Sequence, residues 1–231
     1  VDMGVSFGDD RTPGIDVICP DPSFLEDHLE NIEAIILTHA HEDHIGAVGH
    51  FWRRFRKPLY ATPFTAELIQ GKLHEAGIAD LANLNVVPLG GKVELGPFSI
   101  EYVTLTHSIP EPNGLAIRTP LGLILHTGDW KIDPDPLIGE PFDSASLEDM
   151  GDDGVLAMVC DSTNVFEEGE SGSELGCREE LIKLVGEQTG RVAVTAFASN
   201  VARVESVIRA AEANSRHVCL VGRSMHRITS A

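Results

Sequence analysis

The sequence is short of basic residues, of long apolar runs and of paired cysteines, and each shortage excludes something. Seventeen Lys and Arg stand against 36 Asp and Glu, a formal net charge of −19. That balance argues at first against a nucleic-acid partner, since phosphate binding normally needs a basic surface. No stretch approaches the ~18 consecutive apolar residues that a membrane span requires, so no membrane association is expected. The four cysteines, Cys19, Cys160, Cys177 and Cys219, lie far apart with no C-x-x-C pair. Three sit in or beside apolar runs, which predicts reduced core cysteines in a cytosolic, cytoplasmic protein. The opening Val1-Asp2-Met3-Gly4-Val5 has neither an initiator methionine nor a charged and then apolar leader. It reads as the end of a strand and a turn, so the chain is expected to begin inside a domain.

The charge is unevenly spread. From Arg191 to Ala231 there are six arginines and two acids (+4), whereas the first 190 residues carry 11 bases and 34 acids (−23). An acidic body with a basic end suits a polyanion on one side only, and ordinary solubility charge explains it as well.

What the sequence does have is Thr38-His39-Ala40-His41-Glu42-Asp43-His44-Ile45-Gly46, three histidines and an aspartate within six residues. Imidazole and carboxylate are ligands for Zn²⁺ and similar divalent ions. The apolar run Glu33–Leu37 just before reads as a buried strand that delivers them. In extended backbone His39, His41 and Asp43 project to one side and His44 to the other, which divides the ligands between two adjacent metals. A polar surface turn is the plainer alternative; the density of ligand types favours metal.

Three further strands end on chemistry. Ile100–Leu105 leads to Thr106-His107-Ser108, Leu121–Leu125 to His126-Thr127-Gly128-Asp129, and Val155–Cys160 to Asp161-Ser162-Thr163-Asn164. Repeated strand-then-polar endings are what a site at one rim of an α/β sheet produces. Elsewhere the spacing predicts strands at Asp16–Cys19, Pro58–Ala61, Leu84–Leu89, Lys92–Leu95 and Phe98–Leu105. It predicts helices over Ser23–Asn31 and Ile45–Arg54, and one from Thr62-Pro63 to Gly77 with Thr62 as its capping hydroxyl. Asp133–Asp153 reads as a solvated acidic loop. Then come a helix over Ser173–Glu187, a strand Arg191–Phe197, a helix from Ser199 and a strand His217–Val221, a parallel βαβ unit. His126 is expected to bond locally, and His28, His50, His74, His217 and His226 to be structural or at the surface.

With these residues in view, the sequence resembles the metallo-β-lactamase superfamily and, within it, the ribonuclease J family of the β-CASP group. The H-x-H-x-D-H cluster reaches only the superfamily. The finer match lies in Thr106-His107-Ser108-Ile109-Pro110, His126-Thr127-Gly128-Asp129-Trp130-Lys131, Cys160–Asn164, Phe197-Ala198-Ser199-Asn200 and Gly222-Arg223-Ser224-Met225. The resemblance implies an αββα sandwich: residues 1–172 as the core without its opening strands, and 173–231 as the start of an inserted β-CASP α/β domain. It implies His39, His41 and His107 on one metal, Asp43 and His44 on the second, and Asp129 bridging both. Asp2 would orient ligands, and Asp161 would stand near the metals with a catalytic role. Zn²⁺ is the expected ion, with Mn²⁺ the alternative. Further metal and acid histidines of the family find no counterpart in these residues.

Two divalent ions ~3.5–4 Å apart suit phosphodiester hydrolysis, activating a water that Asp43 would aim and neutralising charge at phosphorus. By resemblance the substrate is RNA with a 5′-monophosphate, cut from 5′ to 3′ and also internally to leave 5′-phosphates, by a homodimer or homotetramer. Arg223 and Ser224, after a strand and a glycine, are expected to grip an RNA phosphate. Two other functions stay open: a hydrolase of a small ester, lactam or phosphodiester on the same scaffold, and a metal-free RNA-binding scaffold. The β-CASP-like tail speaks against the first and the filled ligand positions against the second.

Overall fold

The computed structural model describes residues 1–231. Strands β1 (Ser6–Phe7) and β2 (Val17–Ile18) pair antiparallel, and α1 (Ser23–Glu26) follows. The single helix expected to Asn31 is broken at His28, whose backbone leaves the helical region (φ −129°, ψ 28°) before a 3-10 turn over Leu29–Asn31. Then come β3 (Ile35–Ile36), α2 (Glu42–Ile45), α3 (Val48–Phe55), β4 (Leu59–Ala61), α4 (Pro63–Glu75) and β5 (Leu84–Val86). The three strands make one parallel sheet in the order β3-β4-β5.

A second sheet is built from β6 (Lys92–Leu95), β7 (Phe98–Thr104), β8 (Asn113–Thr119), β9 (Gly122–His126) and, beyond α5 (Ser144–Asp153), β10 (Val155–Val159). Its order is β10-β9-β8-β7-β6, with only β9 and β10 parallel. Helices α6 (Glu174–Gly186), α7 (Val201–Ala213) and α8 (Arg223–Ser230) complete the chain.

Strand alternation sets the layers, because successive side chains point to opposite faces. Ile35 and Leu37 pack with Trp52, Leu59, Ile69 and Leu73 under α3 and α4. Ile36, between them, turns the other way to meet Ile100, Tyr102 and Leu115 of the second sheet. Val103, next to Tyr102, faces outward with Ala116 and Leu123 onto Met150 of α5. Helices, sheet, sheet and helix are therefore stacked over three apolar seams, the expected αββα sandwich. Leu115 and Tyr102 are essentially fully buried, and an apolar side chain placed as Leu115 is contributes about 1.5–3 kcal/mol.

Several sequence expectations are corrected. The acidic stretch Asp133–Asp153 is not all loop: Asp143 caps α5 by accepting from the Ser146 amide (3.1 Å), and the helix buries Met150. Thr62 does not cap α4; the Phe64 amide donates instead to Glu111 Oε2 at 2.8 Å, across 47 residues of chain. Strand β8 lies in a stretch not read as a strand. The expected βαβ unit is absent, since Arg191–Phe197 and His217–Val221 join no ladder. A strand needs a hydrogen-bonded neighbour about 4.8 Å away. Here the two segments instead line a cleft of about 950 Å³ with Val204, Val207 and Ile208 of α7. The cysteines are not in the core: Cys160, Cys177 and Cys219 are exposed and Cys19 half-buried, all four free thiols. Cys160 directly follows the uncovered edge strand β10, and Cys219 lies in one of the unpaired segments.

Candidate metal centre

The ligand-rich segment leaves β3 at Leu37 and changes backbone at His41, which is still extended (φ −72°, ψ 151°) and stands before α2. Asp43 and His44 are therefore on a helical turn, and the alternation expected of an extended stretch stops at His41. The helix that should run from Ile45 to Arg54 is instead two, α2 and α3, divided at Gly46-Ala47. Gly4 locks this turn from outside: a Cβ there would lie 1.5 Å from the Asp43 carbonyl oxygen. Backbone can approach backbone so closely only at glycine.

Two donor groups result. His39, His41, His107 and Asp129 form one and Asp43, His44 and Asp129 the other, the donor atoms of each within 4.8 Å of one another. His107 arrives from the end of β7 and Asp129 from the end of β9, where Gly128 turns the chain with φ +56°. In the first group His39 Nε2 and His107 Nε2 lie 3.1 and 3.2 Å from His41 Nδ1. Asp129 Oδ2 is 4.0 Å from His39 Nε2 and 3.8 Å from His107 Nε2. Ligands ~2.0–2.1 Å from a tetrahedral ion stand about 3.3 Å apart, so the donor set fits a divalent cation with little adjustment.

Outer partners set which ring nitrogens are bare. Asp2 accepts from the Thr38 amide (2.8 Å) and from Thr38 Oγ1 (2.9 Å). The Thr38 hydroxyl has one proton, spent on Asp2, so toward His39 Nδ1, 3.0 Å away, it accepts. His39 thus carries its proton on Nδ1 and presents a bare Nε2 to the cluster. His41 Nε2 faces the carbonyl oxygen of Ser199 at 3.3 Å, an acceptor only, which leaves His41 Nδ1 bare.

The electrostatics agree. Burial, reinforced by His44, His41 and His107, depresses the His39 pKa well below its ordinary value. Burial also lowers that of His41, and with the neighbouring His41 takes His107 down to about 4. With His39 Nε2 and His41 Nδ1 both bare and 3.1 Å apart, two lone pairs face each other, which is costly without a cation or a proton between them. His44 differs: burial opposes its charge, but Asp129 (3.2 Å) and Asp2 (2.7 Å) raise its pKa to about 10. The Asp129 carboxyl is held low chiefly by its bond from His44.

The other expected residues fall at varied distances from this centre. Asp161 belongs to neither donor group; it accepts from the Thr163 amide and hydroxyl (2.9 and 2.6 Å), and its charge opposes the depressed pKa of His107. Arg223 and Ser224 are both exposed at the start of α8. Ser224 lines a cleft of about 270 Å³ together with Phe7, His41, Asp43 and Arg227, whereas Arg223 is not in its lining. His126 bonds locally, its Nδ1 accepting from the Gly128 amide at 3.1 Å.

Sequence reasoning gave Asn113 no role, and it quoted Ser199 only as part of the Phe197–Asn200 motif and as a helix start, without its contact to His41. The Asn113 amide group, buried, donates to the carbonyl oxygens of Thr38 (3.1 Å) and Glu111 (2.7 Å), tying β8 to the ligand loop. Its partner, 75 residues away, is not visible in the chain.

Comparison with known proteins accords with this geometry. Residues 7–194 match the metallo-beta-lactamase superfamily, and residues 189–231 match the beta-CASP domain of ribonuclease J. Over 99% of its length the chain is 46% identical to ribonuclease J of Sinorhizobium meliloti, and over 98% it is 44% identical to that of Corynebacterium glutamicum. Identity to ribonuclease J of Thermus thermophilus is 39% over 97% of the chain. The chain spans 40%, 32% and 40% of the lengths of these three relatives. A crystal structure of a protein of unknown function from Enterococcus faecalis V583 shares the fold: TM-score 0.56 and 19% identity, over 78% of this chain and 48% of that one. On these matches the chain belongs to the metallo-β-lactamase superfamily, and its C-terminal part resembles the β-CASP domain of ribonuclease J.

Proposed function

We propose that this chain carries the catalytic centre of a metal-dependent ribonuclease that hydrolyses RNA phosphodiesters and leaves 5′-phosphates. By its likeness to ribonuclease J, it works from a 5′-monophosphate end toward 3′ and also cuts internally. The observation that carries the reading is the convergence of imidazole nitrogens and carboxylates, the donor atoms of each group within 4.8 Å of one another, beside an open cleft. His39, His41 and His107 would hold one ion, Asp43 and His44 a second, and Asp129 both. The mixed His/Asp donor set suits Zn²⁺ and accommodates Mn²⁺.

Bound divalent ions supply Lewis acidity, promoting deprotonation of the attacking water and neutralising charge at phosphorus. The protein does the rest. Asp43, exposed on the cleft side of α2, accepts a hydrogen bond from the attacking water and aims it. Asp2 holds Thr38 and His44, keeping both rings of the pair His39 and His44 in place. Asp161 keeps the approach to His107 acidic, and Ser224 in the cleft lining, with Arg223 exposed beside it, takes a backbone phosphate.

The test uses the intact protein and 3′-labelled RNA with a 5′-monophosphate. Chelator-sensitive shortening from the 5′ end is expected. RNA left intact in the presence of added Zn²⁺ and Mn²⁺ would overturn the reading and direct attention to small esters or phosphodiesters.

A further inference from the structure

The C-terminal segment, not only the lactamase-like core, reaches the donor cluster. The turn Phe197–Asn200 stands at the mouth of the same cleft as His41 and Asp43. Its Ser199 carbonyl oxygen lies 3.3 Å from His41 Nε2, across 158 residues of chain. The next turn of backbone holds the loop of a second candidate ligand: the Ala202 amide donates to the Ser108 carbonyl oxygen at 3.2 Å, one residue beyond His107. Ser108 Oγ itself is 3.5 Å from His41 Nε2. The turn is kept in place locally, since Asn200 Oδ1 caps α7 by accepting from the Arg203 amide (2.9 Å) and the Asn200 amide donates to the Phe197 carbonyl (3.0 Å).

We propose that the 197–202 turn is a positioning element of the metal centre, and that the Ser199 carbonyl fixes His41 in the tautomer that bares Nδ1 to the ion. A ring without such a partner exchanges its proton between Nδ1 and Nε2 and spends part of its time with the protonated nitrogen toward the metal. A carbonyl cannot donate, so a ring held against it must place its proton on Nε2. Partners of this kind on ligating histidines are worth roughly 10–100-fold in metal affinity. The tail therefore acts on the ion as well as on whatever passes through the cleft. His39 obtains its tautomer from the core through Thr38 and Asp2, and His41 obtains its own from the tail. The inference rests on the metal reading above.

The experiment titrates the intact apo-protein with Zn²⁺ and, separately, Mn²⁺ alone, and reads the His41 ring by long-range ¹H–¹⁵N correlation. In the wild type, ion uptake is expected, with His41 as the Nε2–H tautomer. Asn200→Ala, which releases the cap, should weaken uptake about tenfold and mix the His41 tautomers. Asn200→Asp, which restores a capping oxygen, should recover most of both. Arg209→Gly, loosening the same helix at an exposed position, should change neither. An Asn200→Ala protein with wild-type affinity and an unmixed tautomer would overturn the role of the turn. So would an Arg209→Gly protein impaired to the same degree, which would make the effect one of general stability. A wild type that takes up neither ion would overturn the metal reading itself.

Discussion

Asp2 Oδ2 lies 2.7 Å from His44 Nδ1 and, through Thr38 Oγ1 at 2.9 Å, is one hydroxyl removed from His39 Nδ1. One carboxylate thus governs a ring in each of the two donor groups. Asp2→Ala leaves the Thr38 hydroxyl free to turn its proton toward His39 and leaves His44 Nδ1 without its acceptor. A fall of roughly 10–100-fold in Zn²⁺ affinity is expected, with both donor groups affected. Titration with a competing chromophoric chelator measures it; a change below twofold would show that the rings are oriented by packing alone.

Gly4 makes a second, purely steric claim. Any side chain there runs into the Asp43 carbonyl, where a Cβ would come to 1.5 Å, so the turn carrying Asp43 and His44 has to move. Gly4→Ala is expected to lose at least ~1–3 kcal/mol of stability, as forced overpacking does. It should also lose metal from the Asp43–His44–Asp129 group before the His39–His41–His107 group. Urea unfolding and bound metal per chain test both halves, and a stable variant with full metal content would refute the argument.

How much of this was legible in the chain depends on how far each interaction reaches. The ligands could be named because short strands end on them, and α4 because Thr62-Pro63 and Gly77 bracket an apolar helical period. Asp43 and His44 were placed on the wrong backbone, because nothing in the six residues from His39 to His44 says where extended chain becomes helix. The hairpin partner β8 goes unassigned: it opens on Pro112, Asn113 and Gly114, residue types that favour turns over strands, although Asn113 in fact begins a seven-residue strand. Glu111 capping α4, Asn113 holding Thr38 and Ser199 facing His41 are bonds across 47, 75 and 158 residues. Only the folded chain brings those pairs together.

Asp133 shows the same limit and yields a pH prediction. Read as part of a solvated loop, it is buried, and its carboxylate accepts from the amides of Glu174 (3.0 Å) and Asp135 (3.0 Å) beside Lys131 (3.4 Å). Burial alone would raise its pKa, but Ser173, these amides and Lys131 together hold it below the ordinary value. A carboxyl with a depressed folded pKa stabilises fully above its unfolded pKa of about 3.9 and loses that contribution as pH falls through the folded value. Asp133→Asn should therefore be about 1.5–3 kcal/mol less stable than wild type at pH 7, the worth of hydrogen bonds to a charged group. The gap should narrow below about pH 4. Denaturant unfolding from pH 7 to pH 3 follows it; a gap independent of pH would mean that the charge contributes nothing.

Metal removal gives the last prediction. Neutral rings of His39, His41 and His107, together with Asp129, face one another at 3.1–4.0 Å in the folded chain, an arrangement the unfolded chain does not have. An ion that binds only the folded form stabilises it by RT ln(1 + [L]/Kd), about 2.7 kcal/mol at a free concentration 100 times Kd. Adding Zn²⁺ to that level should raise the melting temperature and an excess of chelator should reverse the rise. In His107→Ala the apo-protein should melt close to the wild-type apo-protein, since the ring is only half-buried. Its Zn²⁺-dependent rise should be much smaller. Differential scanning calorimetry separates the two contributions: an equal Zn²⁺ shift in both proteins would place the stabilising ion away from these histidines.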